Sequence, residues 1–319
     1  MDKAILKTLI YADIFDYPLN TYELHKWLIG PLSLKLRQVN SKVTLRQIEK
    51  ALRKLNQESR IMNQGNFYFL RRKNDLVVKR IRREKQSKNY FRKAKILCQT
   101  LKLIPWIKMV GVSGALAMEN AGKRDDIDLL IVTSKNRLWI SRLLALGLLS
   151  LAGQRRKRGE TGRKIAGKLC INILLEEDKL EQKNKDIFVA HEVLQMRPLW
   201  RRDGVYSKYL ADNEWAFKFL PNWIDNSSDL SLRGRRGDRG NLDLIGIVSS
   251  FSLLVMTRIE NLAKWLQLKI MREPQGMERI EDGALYFLPE DCRLEVLSKY
   301  KSKIFSTLLL NNSHNHNNV

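Results

Sequence analysis

The sequence predicts an α+β fold in three parts: an N-terminal unit of three helices and a β-hairpin, a small mixed α/β unit, and a helical C-terminal unit. Three observations predict it. Apolar residues recur at helical spacing in three short segments that precede a hairpin pattern. Two aliphatic runs of strand length then flank a turn of small residues, and helical spacing dominates the remaining chain. The predicted boundaries are 1–84, 85–184 and 185–309, with a disordered tail over 310–319.

Helix and turn signals define the N-terminal unit. Residues 2–16 carry an apolar stripe, and a second short helix begins at Thr21. Thr44 and Gln47 form a capping box that opens a third helix. Residues 60–70 contain two strand-like runs around an Asn- and Gly-containing turn. Three helices followed by a hairpin are typical of a winged helix-turn-helix.

The third helix is the element that reads nucleic acid in that fold. Its predicted exposed side carries Arg46, Lys50 and Arg53, which are candidate nucleic-acid-binding residues. The alternative is a protein-contact module whose basic face is solvated.

A dense run of positive charge follows the hairpin. Residues 71–95 hold twelve Lys or Arg and two acids, and they predict a long helix leading into the next unit. Arg80 and Arg83 are candidate contacts to a phosphate backbone, with a solvated linker helix as the alternative. The whole chain has 58 Lys and Arg against 34 Asp and Glu, a net charge of +24. Such an excess favours an anionic partner such as nucleic acid, and the alternative is a solubility feature.

The stretch from Met109 to Ser134 carries the chemistry. It reads MVGVSGALAMENAGKRDDIDLLIVTS, an apolar run, a small-residue turn, and an aliphatic strand with carboxylates at its entrance. Side chains alternate along a strand, so Asp126 and Asp128 project from one face. Paired carboxylates suit a hard divalent cation such as Mg²⁺, and small residues before a helix suit a phosphate. Together they indicate metal-assisted phosphoryl or nucleotidyl transfer.

This pattern resembles the nucleotidyltransferase superfamily with a polymerase-beta-like palm, over roughly a third of the chain. The family pairs a Gly-Ser dipeptide with the D-x-D motif. Here Gly114 matches the glycine, Ala115 stands where the serine usually is, and Ser113 precedes them. Residues 190–223 also resemble the helical extension of uncharacterised bacterial nucleotidyltransferase-like proteins.

The resemblance implies roles for particular residues. Asp126 and Asp128 would bind Mg²⁺ or Mn²⁺, and the third ligand position of the family falls on Asn172, an amide. Ser113 and Gly114 would lie against the phosphates of an NTP. Two cations before the acidic pair would neutralise charge; these are Lys123 and Arg124.

The predicted function is therefore a metal-dependent nucleotidyltransferase that moves an NMP from an NTP to an acceptor, with nucleic acid favoured by the charge. A second hypothesis is a non-catalytic nucleic-acid-binding or regulatory module on the same scaffold, which Asn172 and Ala115 favour. A third is an enzyme that nucleotidylates a small molecule or a protein.

The rest of the chain is predicted from its helical spacing. A basic loop over 154–168 is a candidate contact for triphosphate or acceptor, with a mobile surface loop as the alternative. His191 is interpreted as a packed or surface side chain rather than a ligand. Helices are predicted over 186–195, 206–219, 242–271 and 292–309, with turns at 197–200 and 286–291 and a linker at 226–241.

The cysteines and the hydropathy of the chain predict the cellular compartment of the protein. Cys98, Cys170 and Cys292 lack metal-ligand spacing and predict reduced core residues of a cytoplasmic protein. The apolar runs at 138–152 and 244–256 are too short for a spanning helix, so no transmembrane segment is expected. Their basic flanks leave peripheral membrane contact as an alternative.

Overall fold

The computed structural model describes residues 1–30, 43–70, 75–157, 159–223, 246–271, 277–288 and 292–313. These residues form helices and two sheets, which confirms the α+β class. The linker predicted over 226–241 lies outside the described residues. The C-terminal helix, Cys292–Ser313, extends four residues into the segment predicted as a disordered tail.

The N-terminal unit has the predicted helices and hairpin. Both capping boxes are formed: Thr44 with Gln47 opens α3, and Asn20 with Glu23 opens α2. The hairpin strands pair antiparallel, and a short strand at Leu19 adds to their edge. Its elements are α1 (Asp2–Ile14), β1 (Leu19–Asn20), α2 (Thr21–Lys26), α3 (Leu45–Gln57), β2 (Met62–Gln64) and β3 (Phe67–Phe69).

A six-stranded mixed sheet forms the second part of the molecule. Its strand order is β7-β4-β5-β6-β9-β8, and the β5–β6 pair is parallel whereas its other pairs are antiparallel. The strands are β4 (Ile107–Val112), β5 (Ile127–Thr133), β6 (Leu169–Glu176), β7 (Arg197–Arg201), β8 (Met277–Glu281) and β9 (Ala284–Leu288).

Two of these strands correct the sequence prediction. Residues 197–200 and 286–288 were predicted as turns, and both segments are strands that extend the sheet beyond residue 184. Pro198 has no backbone N–H, so the sequence of residues 197–200 predicts the end of a helix. It lies in an edge strand next to a register shift in β4, where a missing donor is tolerated.

Helices cover both faces of the sheet. Buried side chains of β5 alternate between two cores: Leu129 and Ile131 face one, and Leu130 and Val132 face the other. The first core is covered by α4 (Leu76–Leu101), α6 (Leu138–Leu151) and α9 (Gly246–Ile270). The second is covered by α1, α7 (Ile187–Gln195), α8 (Val205–Asp212), a 3-10 turn (Glu214–Lys218) and α10 (Cys292–Ser313).

A polar seam joins α6 to α9 inside the first core. Helix α6 has no side-chain cap of its own, and its first N–H groups point to Glu260 of α9. The carboxylate of Glu260 accepts from Trp139 N–H at 2.7 Å and from Ile140 N–H at 3.0 Å. Two turns further along α9, Gln267 donates to the carbonyl of Trp139 and accepts from Arg142. The seam thus supplies a helix cap from 120 residues away.

Two other expectations concern the membrane and the cysteines. Over the described ranges, every helix is too short or too polar to cross a bilayer. Cys98 is buried as predicted, but Cys170 is half-buried and Cys292 is exposed, so the prediction of three core cysteines is wrong. These three cysteines form no disulfide.

Candidate functional site

The two predicted carboxylates lie together on one face of the sheet. Asp126 directly precedes β5, and Asp128 is its second residue. Because Ile127 and Leu129 pack into the first core, Asp128 faces the opposite side, toward α7. Ligand atoms of Asp126, Asp128 and Cys170 lie within 4.8 Å of one another, so these three residues form a group that could hold a metal ion.

Asp126 has a cationic partner that the motif did not predict. Arg156 Nη1 donates to Asp126 Oδ2 at 2.6 Å. The backbone N–H of Arg156 is bound to the carbonyl of Leu169, which attaches the basic loop to β6. The loop thereby brings a guanidinium to the edge of the carboxylate pair. Residue 158 of this loop lies outside the described residues.

Asp128 is held by the amide at the third predicted position. Asn172 Nδ2 donates to Asp128 Oδ1 at 2.5 Å, and Asn172 Oδ1 accepts from Cys170 Sγ at 3.1 Å. Leu129 pairs with Ile171 and Leu130 with Ile173, so Asn172 is the extra residue of a β-bulge. Asn172 therefore contacts Asp128, and it does so as a hydrogen-bond donor.

Burial shapes the protonation of this cluster. Burial and the neighbouring Asp126 carboxylate raise the pKa of Asp128 well above its ordinary value. Burial, with Asp128 and Asp126 adding to it, raises the pKa of the Cys170 thiol to about 12. Two carboxylates this close ionise together only beside positive charge, so the site favours a cation.

The small-residue turn approaches Asp128 closely. Gly114 has φ +62°, and a Cβ there would stand 2.9 Å from Asp128 Oδ2, so only glycine fits. The backbone N–H of Ser113 donates to the carbonyl of Asp128 at 3.0 Å. The turn is therefore hydrogen-bonded to the carboxylate strand and packed closely against it.

Glu192 of α7 lies beside the turn that was predicted to contact phosphate. Helix α5 (Gly114–Ala117) is a single turn, and a backbone hydrogen bond from Gly114 lowers the pKa of Glu192 against the larger effect of burial. A phosphate at the Gly114 N–H would therefore lie next to the Glu192 side chain. Sequence reasoning missed Glu192 because it follows Gly114 by 78 residues and lies within an ordinary amphipathic helix pattern.

The two predicted cations beside the motif are exposed. Lys123 and Arg124 lie on the turn before Asp125 and project to solvent. Tyr90 of α4 donates to the carbonyl of Lys123 at 2.9 Å, and Asp125 accepts from Gly122 N–H at 2.7 Å. Asp125 thus shapes the turn and lies outside the carboxylate cluster.

Some residues predicted to contact nucleic acid are exposed, and others are hydrogen-bonded within the protein. Arg46, Lys50 and Arg53 of α3 are exposed. Arg83 is half-buried and donates to Asn120 Oδ1 at 3.1 Å. The assignment of Arg80 to nucleic acid is wrong, because its side chain is only 2% exposed and binds residues of the N-terminal unit. The basic run over 71–95 gives no sign in the sequence that Arg80 is buried.

The pKa of Glu192 predicts a pH-dependent stability. Burial raises this pKa from 4.5 to about 7. Between those values the folded chain holds a proton that the unfolded chain has released, so the free energy of unfolding falls as the pH rises. Glu192→Gln cannot ionise, and it should gain about 1–3 kcal/mol relative to wild type between pH 4.5 and 7.5.

Urea unfolding at several pH values measures this difference. The exposed Glu214→Gln is the matched control and should follow the wild-type profile. Parallel profiles for wild type and Glu192→Gln would show that the burial of Glu192 has no such cost.

Residues that converge on the site come from five separate elements: Gly114, Asp126, Asp128, Arg156, Cys170, Asn172 and Glu192. Their arrangement can bind a cation between two carboxylates and present a guanidinium beside it. Comparison with protein-family models, with curated proteins and with solved structures found no match to this chain.

Proposed function

We propose that this chain is a metal-dependent nucleotidyltransferase that uses an NTP as donor. One observation carries the proposal: two strand carboxylates, Asp126 and Asp128, share one face and lie with Cys170 inside a 4.8 Å cluster. They stand beside a tight small-residue turn and an arginine. A cation held by the carboxylates and a guanidinium beside it can both neutralise charge on a phosphoryl group.

The donor set fits a hard divalent cation. Asp126 and Asp128 would hold Mg²⁺ or Mn²⁺, since carboxylate oxygens are the ligands these ions prefer. Cys170 fits less well, because a thiol whose pKa is about 12 is neutral at physiological pH. When bound, the ion supplies charge neutralisation for the donor phosphates.

Residues of the chain supply the other contacts. Arg156 now neutralises Asp126, and a cation on that carboxylate would free its guanidinium for a phosphate oxygen. Lys123 and Arg124 are exposed on the adjoining turn and would extend the positive surface. Asn172 orients Asp128 through its amide hydrogen bond. On this proposal, β4 to β6 correspond to a polymerase-beta-like palm.

Binding of NTP provides the test. Mg²⁺ with ATP, or with another NTP, should raise the melting temperature of wild type, since saturation at 100 times Kd stabilises by about 2.7 kcal/mol. The double variant Asp126→Asn/Asp128→Asn should lose this response. Asp125→Asn is the matched control, because it removes a neighbouring carboxylate that lies outside the cluster and should keep the response.

The proposal fails if no NTP stabilises wild type in the presence of Mg²⁺ or Mn²⁺. It also fails if the double variant responds as wild type does. Equal loss in Asp125→Asn would indicate damage to the turn in place of lost cation binding.

A second candidate function is a non-catalytic nucleic-acid-binding module. The donated hydrogen bond from Asn172 to Asp128 favours it, because it occupies an oxygen that a cation would need. The exposed cations of α3 favour it as well, and the N-terminal unit would then act as a winged helix. Such a module would bind nucleic acid with strong salt dependence and ignore NTPs.

A further inference from the structure

A cavity of about 300 Å³ lies on the Asp128 side of the carboxylate pair. Its walls come from α1 and the turn that follows it, from α5, and from α7. Asp128 and Glu192 line one part, and aromatic side chains line much of the rest. The volume is at the lower end of the range for small-molecule sites. The cavity therefore joins the N-terminal unit to the candidate reaction centre.

The side chains on the cavity wall favour a neutral or cationic ligand over an anion. Two lining residues, Asp128 and Glu192, are carboxylic acids, and none of the described lining residues is Lys or Arg. Arg156 binds Asp126, and Lys123 and Arg124 are exposed on the turn. Two further arginines lie behind the wall and are already engaged there: Arg80 donates to the Tyr17 hydroxyl and Arg83 donates to Asn120 Oδ1. A phosphate chain would therefore lie outside the cavity, and a neutral or cationic group would lie inside it.

One residue of the cavity wall, His191, carries a buried donor without a partner among the described residues. His191 is 3% exposed, and its Nδ1 accepts from Gln195 Nε2 at 2.8 Å, which leaves the ring proton on Nε2. Nε2 has no hydrogen-bond partner among the described residues. Burial lowers the pKa of His191 to about 3, so the ring is neutral. A buried, unpaired N–H is costly unless a ligand accepts from it.

Aromatic rings hold this histidine in place. Tyr11 stacks on it with ring centroids 4.1 Å apart, and Trp27 is tilted against it at 5.6 Å. Tyr17 and Phe188 also line the cavity. Flat apolar walls with a fixed donor and a carboxylate suit a ring-bearing molecule that has both a polar acceptor atom and a hydroxyl or amine.

We propose that this cavity binds the acceptor of the reaction, and that the acceptor is a small neutral or cationic molecule with an aromatic or apolar ring and a hydroxyl or amine. The inference rests on the proposed nucleotidyl transfer. In the transfer, the acceptor oxygen or nitrogen bonds to the α-phosphorus of the NTP. The bond from that phosphorus to pyrophosphate breaks, and the acceptor proton passes to the carboxylate of Glu192, the cavity-wall acid that holds no cation.

Binding of simple probes tests the cavity without any nucleotide. Phenethylamine and phenylacetate share a ring and differ in charge, so ligand-observed NMR should detect phenethylamine and not phenylacetate. Tyramine adds a hydroxyl that can accept from His191 Nε2, and it should bind about three- to tenfold more tightly than phenethylamine. Glu192→Gln should weaken phenethylamine about tenfold. His191→Phe should abolish the advantage of tyramine.

The outcomes separate this inference from the proposed function. Equal binding of phenethylamine and phenylacetate to wild type overturns the cavity assignment, and this comparison needs no variant to fold. Displacement of phenethylamine by adenosine would assign the cavity to the nucleobase and also overturn it. Binding of Mg²⁺ and ATP without probe binding preserves the transferase and removes the acceptor site. Probe binding without any NTP response preserves the cavity as a binding site and removes its role as acceptor site.

Discussion

Replacing Arg80 with alanine should destabilise the protein by about 3–5 kcal/mol, the cost of leaving one member of a buried ion pair without its partner. Arg80 Nη2 donates to Glu23 Oε1 at 2.7 Å and to the Tyr17 hydroxyl at 2.8 Å. Its guanidinium also lies 4.2 Å from the ring centroid of Tyr17. The variant would lose these contacts at once and leave Glu23 beside a cavity.

Urea unfolding of Arg80→Ala measures the loss, and Arg82→Ala is its control. Arg82 is exposed on the same helix, so its removal should change the free energy of unfolding by about 0.5 kcal/mol or less. The double variant Arg80→Met/Glu23→Gln should recover part of the loss, because it leaves no unpaired charge. A loss below about 1 kcal/mol for Arg80→Ala would contradict the structural role of the ion pair.

Replacing Glu260 with alanine should cost about 2–4 kcal/mol, because it leaves two buried N–H groups of α6 without an acceptor. The carboxylate of Glu260 is 7% exposed and accepts from both Trp139 and Ile140. It also places negative charge at a helix N-terminus, where the backbone dipole favours it. The variant should melt at a lower temperature and expose the α6–α9 seam to hydrogen exchange.

Hydrogen exchange at Trp139 and Ile140 distinguishes this cap from general packing. Glu260→Gln keeps an acceptor oxygen and should lose less stability than the alanine variant. Asn261→Ala changes an exposed neighbour on the same helix and should leave exchange at α6 unaltered. Unchanged exchange at both amides in Glu260→Ala would be incompatible with the cap.

Local signals in the sequence predicted the local structure. The capping box at Thr44 and the turn at Gly65 each involve residues within a few positions, so the chain near them decides the outcome. Side-chain alternation placed Asp126 and Asp128 on one face and Asp125 away from them. The strand at residues 197–201 was missed because its stability comes from β4, far away in the chain.

The rest of the site depends on distant contacts that no local pattern records. Arg156 contacts Asp126, 30 residues earlier in the chain. The sequence does not distinguish Arg156 from the other Lys and Arg residues of the basic loop. Glu192 meets Gly114 from another helix. Arg80 belonged to a charge run that reads as solvated, and its burial follows from Tyr17 and Glu23, about 60 residues earlier.

Because β9 pairs with β6, the sheet around β6 stays incomplete until β9 has been synthesised. Strand β6, which carries Cys170 and Asn172, pairs with β5 on one side and with Ala284, Leu285 and Tyr286 of β9 on the other. A ribosome adding 5–20 residues each second needs roughly 5–20 s to pass from β6 to β9. During that interval the nascent chain carries an apolar strand with one unpaired edge, the kind of edge that invites pairing with other chains. Chaperone protection in this interval would therefore matter more for this protein than for one whose sheet closes in sequence order.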